Sequence, residues 1–472
     1  MTAPLFDGLL RYNEKQVVPF HMPGHKQGKG IMRADQLKEN IFKMDLTEFL
    51  DTDNLHDAKG IILEAEKMAA AAFGAKKSFF LVNGTTGGIQ AMMMSVLHPG
   101  DKVLVERSAH RSAFGGLILT GAIPAYIEPA VDYEDGIPAG VTQQSVGRAL
   151  SNNTDALAVL ITYPNYYGFC TDIKAIADIV HRYGKILLVD EAHGAHFAFN
   201  KNLPVTALEA GADMVVQSVH KTLPSFTQSS ILHVASDRID TGSVEAALRL
   251  IETSSPSYLL MVSLDLAREE MEDHPEILDK AVDLSYMARD RLAGTGNIRV
   301  IGKDIIGKYG IADIDPTKLV VNVRGLNMTG RKVEEVLRDR YNIQVELSDM
   351  YNILAMITTG DSEGDIIKLT NAILQLKKDK EDQAISLSFD YKAPEMVFSP
   401  REAYFMKKSR VLLKDSAGRT AGDFIIPYPP GIPYVVPGEL ITEDTCQKLS
   451  ELALSGIEVV GYDDGYVKIL EA

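Results

Sequence analysis

The stretch DMVVQSVHKTLPSFTQSS, residues 213–230, begins with the apolar run of a buried strand and then turns polar. Ser218, His220 and Lys221 fall within four positions, where the strand should end. Lysine is almost never fully buried without a partner or a chemical task. Lys221 is therefore either a lysine whose amine extends to the surface or a functional group at the edge of a sheet.

The segments before this stretch alternate between short apolar strands and helices. The predicted strands lie at residues 76–82, 101–106, 155–164, 185–190 and 213–219. The predicted helices lie at residues 85–97, 108–121, 172–184 and 205–212. Short, continuously apolar strands that alternate with helices are typical of a parallel sheet covered on both faces. The sequence therefore predicts an α/β fold with a mostly parallel central sheet.

Polar side chains cluster where these predicted strands end. Residues 83–86 (NGTT) follow the first strand, His110 follows the second, Asp190 ends the fourth and Lys221 follows the fifth. Ligands of open α/β sheets bind beyond the carboxyl ends of the strands. We therefore expect these residues to form one site.

The length and the changes in pattern predict several domains. A chain of 472 residues is too long for one ordinary core and indicates two or three domains. We expect an extended N-terminal arm at residues 1–52 and a large ligand-binding domain at 53–298. A smaller α/β domain is predicted at 299–389. Residues 390–472 are rich in proline, glycine and tyrosine, which predicts an irregular segment with some strand.

The composition restricts the class of protein and of partner. Apolar residues make up 46% and charged residues 24% of the chain, as in soluble globular proteins. Two cysteines, no signal peptide and no apolar run of membrane-spanning length predict a cytoplasmic protein without a membrane partner. The formal net charge of −16 argues against a nucleic-acid partner and favours a small cationic substrate.

The glycine-rich motif VNGTTGG, residues 82–88, joins a predicted strand to a predicted helix. Backbone N–H groups at the start of the helix, with the hydroxyls of Thr85 and Thr86, would form a cradle for an anion such as phosphate. The alternative is a plain glycine-rich turn with a threonine cap. The motif lacks the glycine spacing of the dinucleotide-binding folds.

The segment KILLVDEAHGAH, residues 185–196, has three functional interpretations. One places Asp190 at a strand end, where it faces the cation of a cofactor. The second is the acidic motif of a DEAH-type ATPase, which also requires a phosphate loop. The nearest match to that loop, GKDIIGKY at 302–309, has Tyr309 in place of the magnesium-binding hydroxyl. The third is a metal site through His193 and His196, for which the spacing indicates no third ligand.

A phosphate cradle, an aspartate at one strand end and a lysine at a later one are together the parts that bind pyridoxal 5′-phosphate (PLP). Lysine forms a Schiff base with this cofactor, a carboxylate pairs with its pyridinium nitrogen, and backbone donors hold its phosphate. Asp190 and Lys221 are 31 residues apart, about one strand–helix–strand unit. A PLP site would explain why a lysine follows a buried strand.

The sequence resembles the fold-type I, PLP-dependent decarboxylases of ornithine, lysine and arginine, and more narrowly the short bacterial arginine decarboxylases. The resemblance covers nearly the whole chain. It rests on the motifs HMPGH (21–25), NGTTGG (83–88), ERSAHRS (106–112), VDEAHGAHF (189–197), SVHKTLPSFTQSS (218–230), TSSPSY (253–258) and YPPGIPYVVPGE (428–439).

This resemblance implies roles in cofactor binding and catalysis. Lys221 matches the Schiff-base lysine, Asp190 the partner of the pyridinium nitrogen, and His110 the histidine that stacks on the ring. Either Lys221 or His220 would protonate the carbon that loses CO₂. The remaining matches bind the phosphate, namely Gly84, Thr85, Thr86, Ser218 and His220.

The resemblance also implies shared sites in a homodimer or larger assembly. Ser254, or alternatively Ser255, matches a hydroxyl that reaches the phosphate in the site of the neighbouring subunit. The longer members of the family carry a further N-terminal domain that builds decamers, whereas this chain starts almost directly at the arm, so a dimer is the implied minimum.

The implied reaction is decarboxylation of a basic amino acid, most specifically of L-arginine to agmatine in polyamine and spermidine biosynthesis. Lysine, which would give cadaverine, and ornithine are alternative substrates. Two carboxylates near the site, Glu346 and Asp349, would suit the planar fork of a guanidinium, unless both are solvated turn residues. An aminotransferase, another lyase with the same cofactor and a non-catalytic scaffold are the alternative functions.

Overall fold

The computed structural model describes residues 3–379, 392–428, 431–454 and 456–471. Pro429 and Pro430 of the C-terminal motif lie outside the described residues, and so does the predicted domain boundary between residues 389 and 390. The four predicted segments and the three boundaries between them stay predictions.

The N-terminal residues are more helical than the predicted extended arm. Helices α1 (Pro4–Glu14) and α2 (Ala34–Met44) flank a short strand, β1 (Val18–Phe20). This strand pairs in parallel with a strand of the smaller domain, so that Phe20 is fully buried. The prediction of an extended arm was wrong because the amphipathic spacing of apolar residues in α1 and α2 supports helix.

A seven-stranded sheet forms the centre of the large domain, in the order β2-β11-β10-β9-β7-β3-β4. Neighbouring strands run parallel except around β11, which is antiparallel to both β10 and β2. The prediction of a mostly parallel sheet is therefore confirmed. The strands of this region are β2 (Lys77–Leu81), β3 (Lys102–Glu106), β4 (Ile123–Ile127), β5 (Ala130–Asp132), β6 (Ile137–Gly140), β7 (Ala158–Thr162), β8 (Phe169–Thr171), β9 (Ile186–Asp190), β10 (Met214–Gln217) and β11 (Ser230–Val234).

Helices cover both faces of this sheet because its buried strands are apolar on both sides. On β9, Leu187 and Val189 pack into one apolar cluster, while Leu188 packs into the cluster on the opposite face. The helices of the region are α3 (Ile61–Phe73), α4 (Gly84–Met94), α5 (Arg111–Thr120), α6 (Gln143–Asn152), α7 (Ile173–Arg182), α8 (Val219–Thr222), α9 (Thr241–Ile251), α10 (Tyr258–Asp273) and α11 (Glu276–Leu292).

Helix α4 approaches the sheet closely because of Gly88. A Cβ atom at this position would lie 2.5 Å from Cγ2 of Val216 and 2.6 Å from Cδ1 of Leu81. Both contacts are shorter than real Cβ contacts, so a side chain at residue 88 would push the helix away from the sheet. The last glycine of the NGTTGG motif therefore fixes the position of the helix whose first turn faces the site.

The smaller domain packs two helices and the end of α11 against an antiparallel sheet in the order β12-β14-β17-β16. Its helices are α12 (Gly330–Tyr341) and α13 (Glu363–Leu374). Its strands are β12 (Arg299–Ile301), β13 (Ile311–Ile314), β14 (Lys318–Asn322), β15 (Ile343–Val345), β16 (Leu347–Ser348) and β17 (Asn352–Met356). Strand β13 instead pairs with β8 of the large domain and ties the two domains together.

The C-terminal residues are more regular than the sequence predicts. Their elements are α14 (Pro400–Phe405), β18 (Lys408–Leu412), β19 (Ile426–Tyr428), α15 (Glu443–Leu454), β20 (Glu458–Val460) and β21 (Tyr466–Leu470). Leu449 of α15 packs with Ile425, Val435 and Ile469 in a core of its own. Arg107 of the large domain holds this region through hydrogen bonds to Tyr434 O and Glu439 Oε2, at 2.9 and 3.1 Å.

One further sequence prediction is corrected, and one alternative interpretation is not supported. Residues 205–212 form a turn instead of a short helix. The GKDIIGKY segment forms a single 3₁₀ turn between β12 and β13, with no helix after it, so it is not the strand–loop–helix of a phosphate loop. Among the helices of the described residues, none is long and apolar enough to cross a membrane.

Candidate active site

A cavity of about 340 Å³ lies at the carboxyl edge of the large sheet, where the small domain and the C-terminal region meet it. Register places the strand ends together, since Thr162 of β7 pairs with Asp190 of β9 and Asp190 pairs with Val216 of β10. Most of the residues predicted from sequence line this cavity, namely Gly84, Thr85, Thr86, His110, Asp190, Ser218, His220, Lys221 and Glu346.

Lys221 lies in the short helix α8, which begins directly after β10 and has Ser218 as its N-cap residue. Its amine faces the cavity and lies 3.0 Å from Nε2 of His193. Burial lowers the pKa of Lys221, while the negative charges of Asp190 and Glu346 oppose this shift. An amine with a lowered pKa is more often neutral, as a nucleophile must be.

Asp190 is the last residue of β9 and is 5% exposed. Its Oδ1 accepts a hydrogen bond from Ala192 N at 3.1 Å, and its carboxyl lines the cavity. Burial raises the pKa of Asp190, and the positive charge of Lys221 opposes this shift. Beside it, Thr162 Oγ1 is buried without a hydrogen-bonding partner among the described residues. A cationic ring N–H would satisfy the carboxylate in this position.

The other end of the cavity is suited to an anion. Gly84 starts α4 with a φ of +69°, and the first turn of the helix supplies free backbone N–H groups. Thr85 Oγ1 is hydrogen-bonded to the hydroxyl of Ser218 and, at 2.9 Å, to that of Ser230. The cavity therefore combines an anion cradle, a lysine amine and a buried carboxylate. These are the groups that PLP requires.

Both predicted site histidines are neutral. Nδ1 of His110 accepts a hydrogen bond from Ser112 N at 3.3 Å, and burial lowers the pKa of His110 to about 3. The neutral ring therefore carries its proton on Nε2. Burial also lowers the pKa of His220 to about 4, and its Nδ1–H donates to Ser229 O at 2.9 Å. Since the N–H of His220 is held by a carbonyl, the geometry favours Lys221 as the proton donor.

Glu346 belongs to the small domain and lines the cavity. It lies between β15 and β16, and its Oε2 accepts a hydrogen bond from Met22 N of the arm at 2.8 Å. The prediction that Glu346 binds substrate stays a prediction, and its position in the cavity supports it.

Asp349 and Ser254 are not among the described residues that line this cavity, and Asp349 lines the one adjoining it. Asp349 accepts hydrogen bonds from Tyr167 Oη at 2.6 Å, from the backbone of residues 351 and 352, and from the amide of Asn352. This geometry favours a structural role and does not support the predicted contact with substrate. Ser254 and Ser255 are exposed and are not among the described residues that line their own chain's cavity. Their predicted role in a neighbouring site stays a prediction.

Sequence reasoning missed Thr162, Tyr166 and Tyr428, which also line the cavity. Thr162 ends β7 and Tyr166 follows it, so the rule that found Asp190 could have found both. Tyr166 places its ring 5.8 Å from the Lys221 amine, measured to the ring centre. Tyr428 reaches the cavity from the C-terminal region; it opens the motif YPPGIPYVVPGE, but the rule of strand ends did not assign it to the site.

His193 was considered only as a metal ligand, and the structure gives it other partners. Its ring lies between Lys221 and Lys318, while His196 pairs with Asp315 at 3.1 Å. Among the described residues, no group of three or more His, Cys, Asp or Glu side chains could hold a metal ion.

The fold and the cavity together define a class, the large α/β domain of the fold-type I enzymes with a smaller domain behind it. The crystal structure of the Francisella novicida lysine decarboxylase LdcF has this fold. It matches with a TM-score of 0.77 at 21% identity, over 95% of this chain and 78% of that chain.

Comparison with protein families identifies the particular family. Residues 3–365 match the model of the Orn/Lys/Arg decarboxylase major domain, and residues 383–455 match the C-terminal domain of that family. An arginine decarboxylase of Bacillus subtilis (strain 168) is 38% identical over 99% of this chain and 97% of its own length. One from Bacillus anthracis is 38% identical over 98% and 95%. The chain belongs to the Orn/Lys/Arg decarboxylase family and is a carboxy-lyase, and this family implies PLP.

Proposed function

We propose that this enzyme uses PLP to decarboxylate L-arginine, which yields agmatine and CO₂ for polyamine biosynthesis in the cytoplasm. The observation that carries the proposal is that Lys221, the Asp190 carboxyl and the anion cradle at Gly84–Thr86 face one cavity. The two buried or half-buried cysteines, Cys170 and Cys446, are free thiols, in keeping with a reducing compartment.

In this proposal, each end of the cavity holds one end of the cofactor. The first turn of α4, with Thr85, Thr86, Ser218 and His220, binds the phosphate through backbone N–H groups and hydroxyls. Asp190 accepts a hydrogen bond from the ring nitrogen and keeps it protonated, because a buried carboxylate stabilises a neighbouring positive charge. His110, which is neutral, stacks against the ring without adding charge to it.

When bound, PLP supplies an aldehyde that takes up the substrate amine and a ring that accepts the electron pair left by CO₂. The chain itself controls protons and water. Once Lys221 has released the cofactor as a neutral amine and has gained a proton, it would donate that proton to the carbon that lost CO₂. Burial of the substrate carboxylate in this cavity favours the loss of its charge as CO₂.

The charge around the cavity supports a cationic substrate. A second cavity of about 290 Å³ shares Glu346, Leu347 and Tyr428 with the first. Its lining has more carboxylates than guanidiniums, namely Glu334, Glu335, Glu346, Asp349 and Glu458 against Arg331 and Arg338. An excess of acidic groups next to the site attracts a cation and raises its local concentration. Glu346, at the junction of the two cavities, is the group proposed to meet the guanidinium.

Relatedness supports arginine over lysine. The relatives named arginine decarboxylase are 38% identical over nearly the whole chain, whereas the lysine decarboxylase LdcA of Pseudomonas aeruginosa is 25% identical over 94% of it. Lysine is therefore the second candidate substrate and ornithine the third.

The test is to supply the full-length protein and PLP with L-arginine, L-lysine and L-ornithine, and to measure CO₂, the amine product and any keto acid. We expect CO₂ and agmatine, with kcat/KM for arginine at least about tenfold higher than for the others. A keto acid without CO₂ would indicate an aminotransferase and overturn the proposal. Preference for lysine or ornithine would overturn the substrate only.

We also propose a homodimer in which Ser254 completes the phosphate site of the partner subunit. The exposure of Ser254 outside its own chain's cavity supports this. Mixing subunits that carry Lys221→Ala with subunits that carry Ser254→Ala should restore activity. In a mixed dimer one site carries both defects and the other carries neither. No recovery from verified mixed dimers of two impaired variants would contradict sharing.

A further inference from the structure

His193 lies between two lysine amines and has no role in the reaction proposed above. Its Nε2 is 3.0 Å from Nζ of Lys221, and its Nδ1 is 3.1 Å from Nζ of Lys318. His193 is 4% and Lys318 is 1% exposed, so bulk water has little access to either group. Lys318 is the first residue of β14 and reaches across from the small domain.

The three groups restrict one another's protonation. An ammonium has only donors, whereas a neutral imidazole has one donor and one acceptor nitrogen. If Lys318 is an ammonium, it donates to Nδ1 of His193, and Nε2–H then donates to Lys221, which must be a neutral amine. The reverse assignment places the ammonium at Lys221 and the neutral amine at Lys318. A protonated His193 would require two neutral amines. In each arrangement, the three groups together carry one proton more than they do when all three are neutral.

The pKa values of the three groups are consistent with one excess proton among them. Burial, together with the positive charges of Lys221 and Lys318, lowers the pKa of His193 well below its usual value, so the ring is neutral. Burial lowers the pKa of Lys318 to about 8. At this pKa the amine can both gain and lose a proton near neutral pH. The titratable groups that face the three residues from neighbouring elements are Lys26, His110, Tyr166, Asp190, His220, Asp315 and Glu346.

The fold makes room for Lys318 next to the loop that follows β7. Gly168 adopts a φ of +84°, and a Cβ atom there would lie 2.8 Å from Cγ of Lys318. A different buried lysine shows the contrast. Lys26 is also 1% exposed, but its amine meets His21 O and Met356 O at 3.0 and 2.9 Å and Asp361 at 3.7 Å. These partners are all acceptors, which suit an ammonium, whereas Lys318 faces a ring that can change tautomer.

We propose that Lys318, His193 and Lys221 form a relay that shares one excess proton between two amines, with Lys318 as a positioning residue. In the transfer, Lys318 gives a proton to Nδ1 of His193 while Nε2 gives its proton to Lys221. One proton leaves one amine, one proton reaches the other, and the ring changes tautomer. The relay deepens the proposed function and rests on it, because Lys221 must be neutral to bind the cofactor and must carry a proton to finish the reaction.

The test measures the protonation of Lys221 without turnover. Full-length protein is freed of cofactor with hydroxylamine and treated with formaldehyde and cyanoborohydride across a pH series. Mass spectrometry then gives the rate of methylation at Lys221, which requires the neutral amine. In Lys318→Met, the excess proton has lost its alternative position and Lys221 has lost a like charge. The pH midpoint for Lys221 should therefore rise by about one unit or more.

Lys26→Met is the matched control, since it removes a lysine of equal burial that has no direct contact with the relay. Its charge acts on Lys318 from a distance, so the midpoint for Lys221 should shift clearly less than in Lys318→Met. If Lys318→Met does not yield folded protein, Lys318→Gln replaces it and the same upward shift is expected. An unchanged midpoint in the folded Lys318 variant, or an equal shift in Lys26→Met, overturns the relay. These results are distinguishable from failure of the proposed function, because that failure is an absence of CO₂ release by the wild-type enzyme.

Discussion

The two walls of the cavity differ in how their side chains are held. On the large-domain wall, the site residues sit at strand ends and helix starts, and their hydrogen-bonding partners lie in the same domain. Asp190 accepts from Ala192 N, and His110 accepts from Ser112 N. On the small-domain wall, Glu346 is held by Met22 across 324 positions, and Lys318 meets His193 across 125 positions. The first wall is fixed by the sheet itself, and the second depends on how the domains pack.

This difference separates the proposed tasks of the two walls. The cofactor is proposed to be held by groups at the edge of the central sheet, which is rigid because helices pack on both of its faces. The substrate side chain and the relay proton are proposed to depend on groups that reach the cavity from the small domain. Changes on the first wall should therefore remove the chemistry, and changes on the second should alter selectivity and proton transfer.

The largest effect is expected for Lys221→Ala on the large-domain wall. Without this amine the cofactor has no covalent attachment and the product carbon has no proton donor, so decarboxylation should fall to background. Borohydride reduction of the wild-type protein, followed by peptide mass spectrometry, should place the cofactor on Lys221. Retained activity in the variant, with the cofactor attached to another lysine, would show that Lys221 is not the Schiff-base lysine.

A second change on the same wall, Asp190→Asn, should keep the cofactor and lose most of the turnover. The amide leaves the ring nitrogen largely unprotonated, and a loss of roughly a hundredfold, about 3 kcal/mol, is expected. Visible absorption reports bound cofactor, and CO₂ release gives kcat. The matched control is Glu191→Gln, because this adjacent buried carboxyl instead meets Ala207 N and Gln217. Equal losses in the two variants would assign Asp190 a structural role.

The smallest effect is expected on the small-domain wall, in Glu346→Gln. Loss of this charge should lower kcat/KM for arginine by about tenfold and change its ratio to lysine. Asp349→Asn is the control three residues away. It removes hydrogen bonds to Tyr167 and Asn352, so it should lower the free energy of unfolding by about 1–3 kcal/mol and leave the arginine-to-lysine ratio unchanged. A changed ratio in Asp349→Asn alone would reverse these assignments.

Sequence reasoning predicted the residues of the large-domain wall because its rules use patterns among neighbouring positions. Apolar strands alternating with helices predicted the sheet, and polar residues at strand ends predicted the cavity edge that includes Asp190 and Lys221. The same rules failed where a segment's structure depends on distant partners. The N-terminal strand β1 forms by pairing with β15, and the C-terminal residues form a core around Ile425 and Leu449.

The sequence by itself therefore determined the family, the parallel sheet and the residues at its carboxyl edge, since strand periodicity and motif spacing are properties of neighbouring positions. Only the tertiary structure decided which of two acidic residues faces the cavity. It separated Glu346 from Asp349, three positions apart, through the partners that each carboxylate meets. It also placed His193 between two amines. Such hydrogen bonds join residues from different domains, and their geometry exists only once the domains pack together.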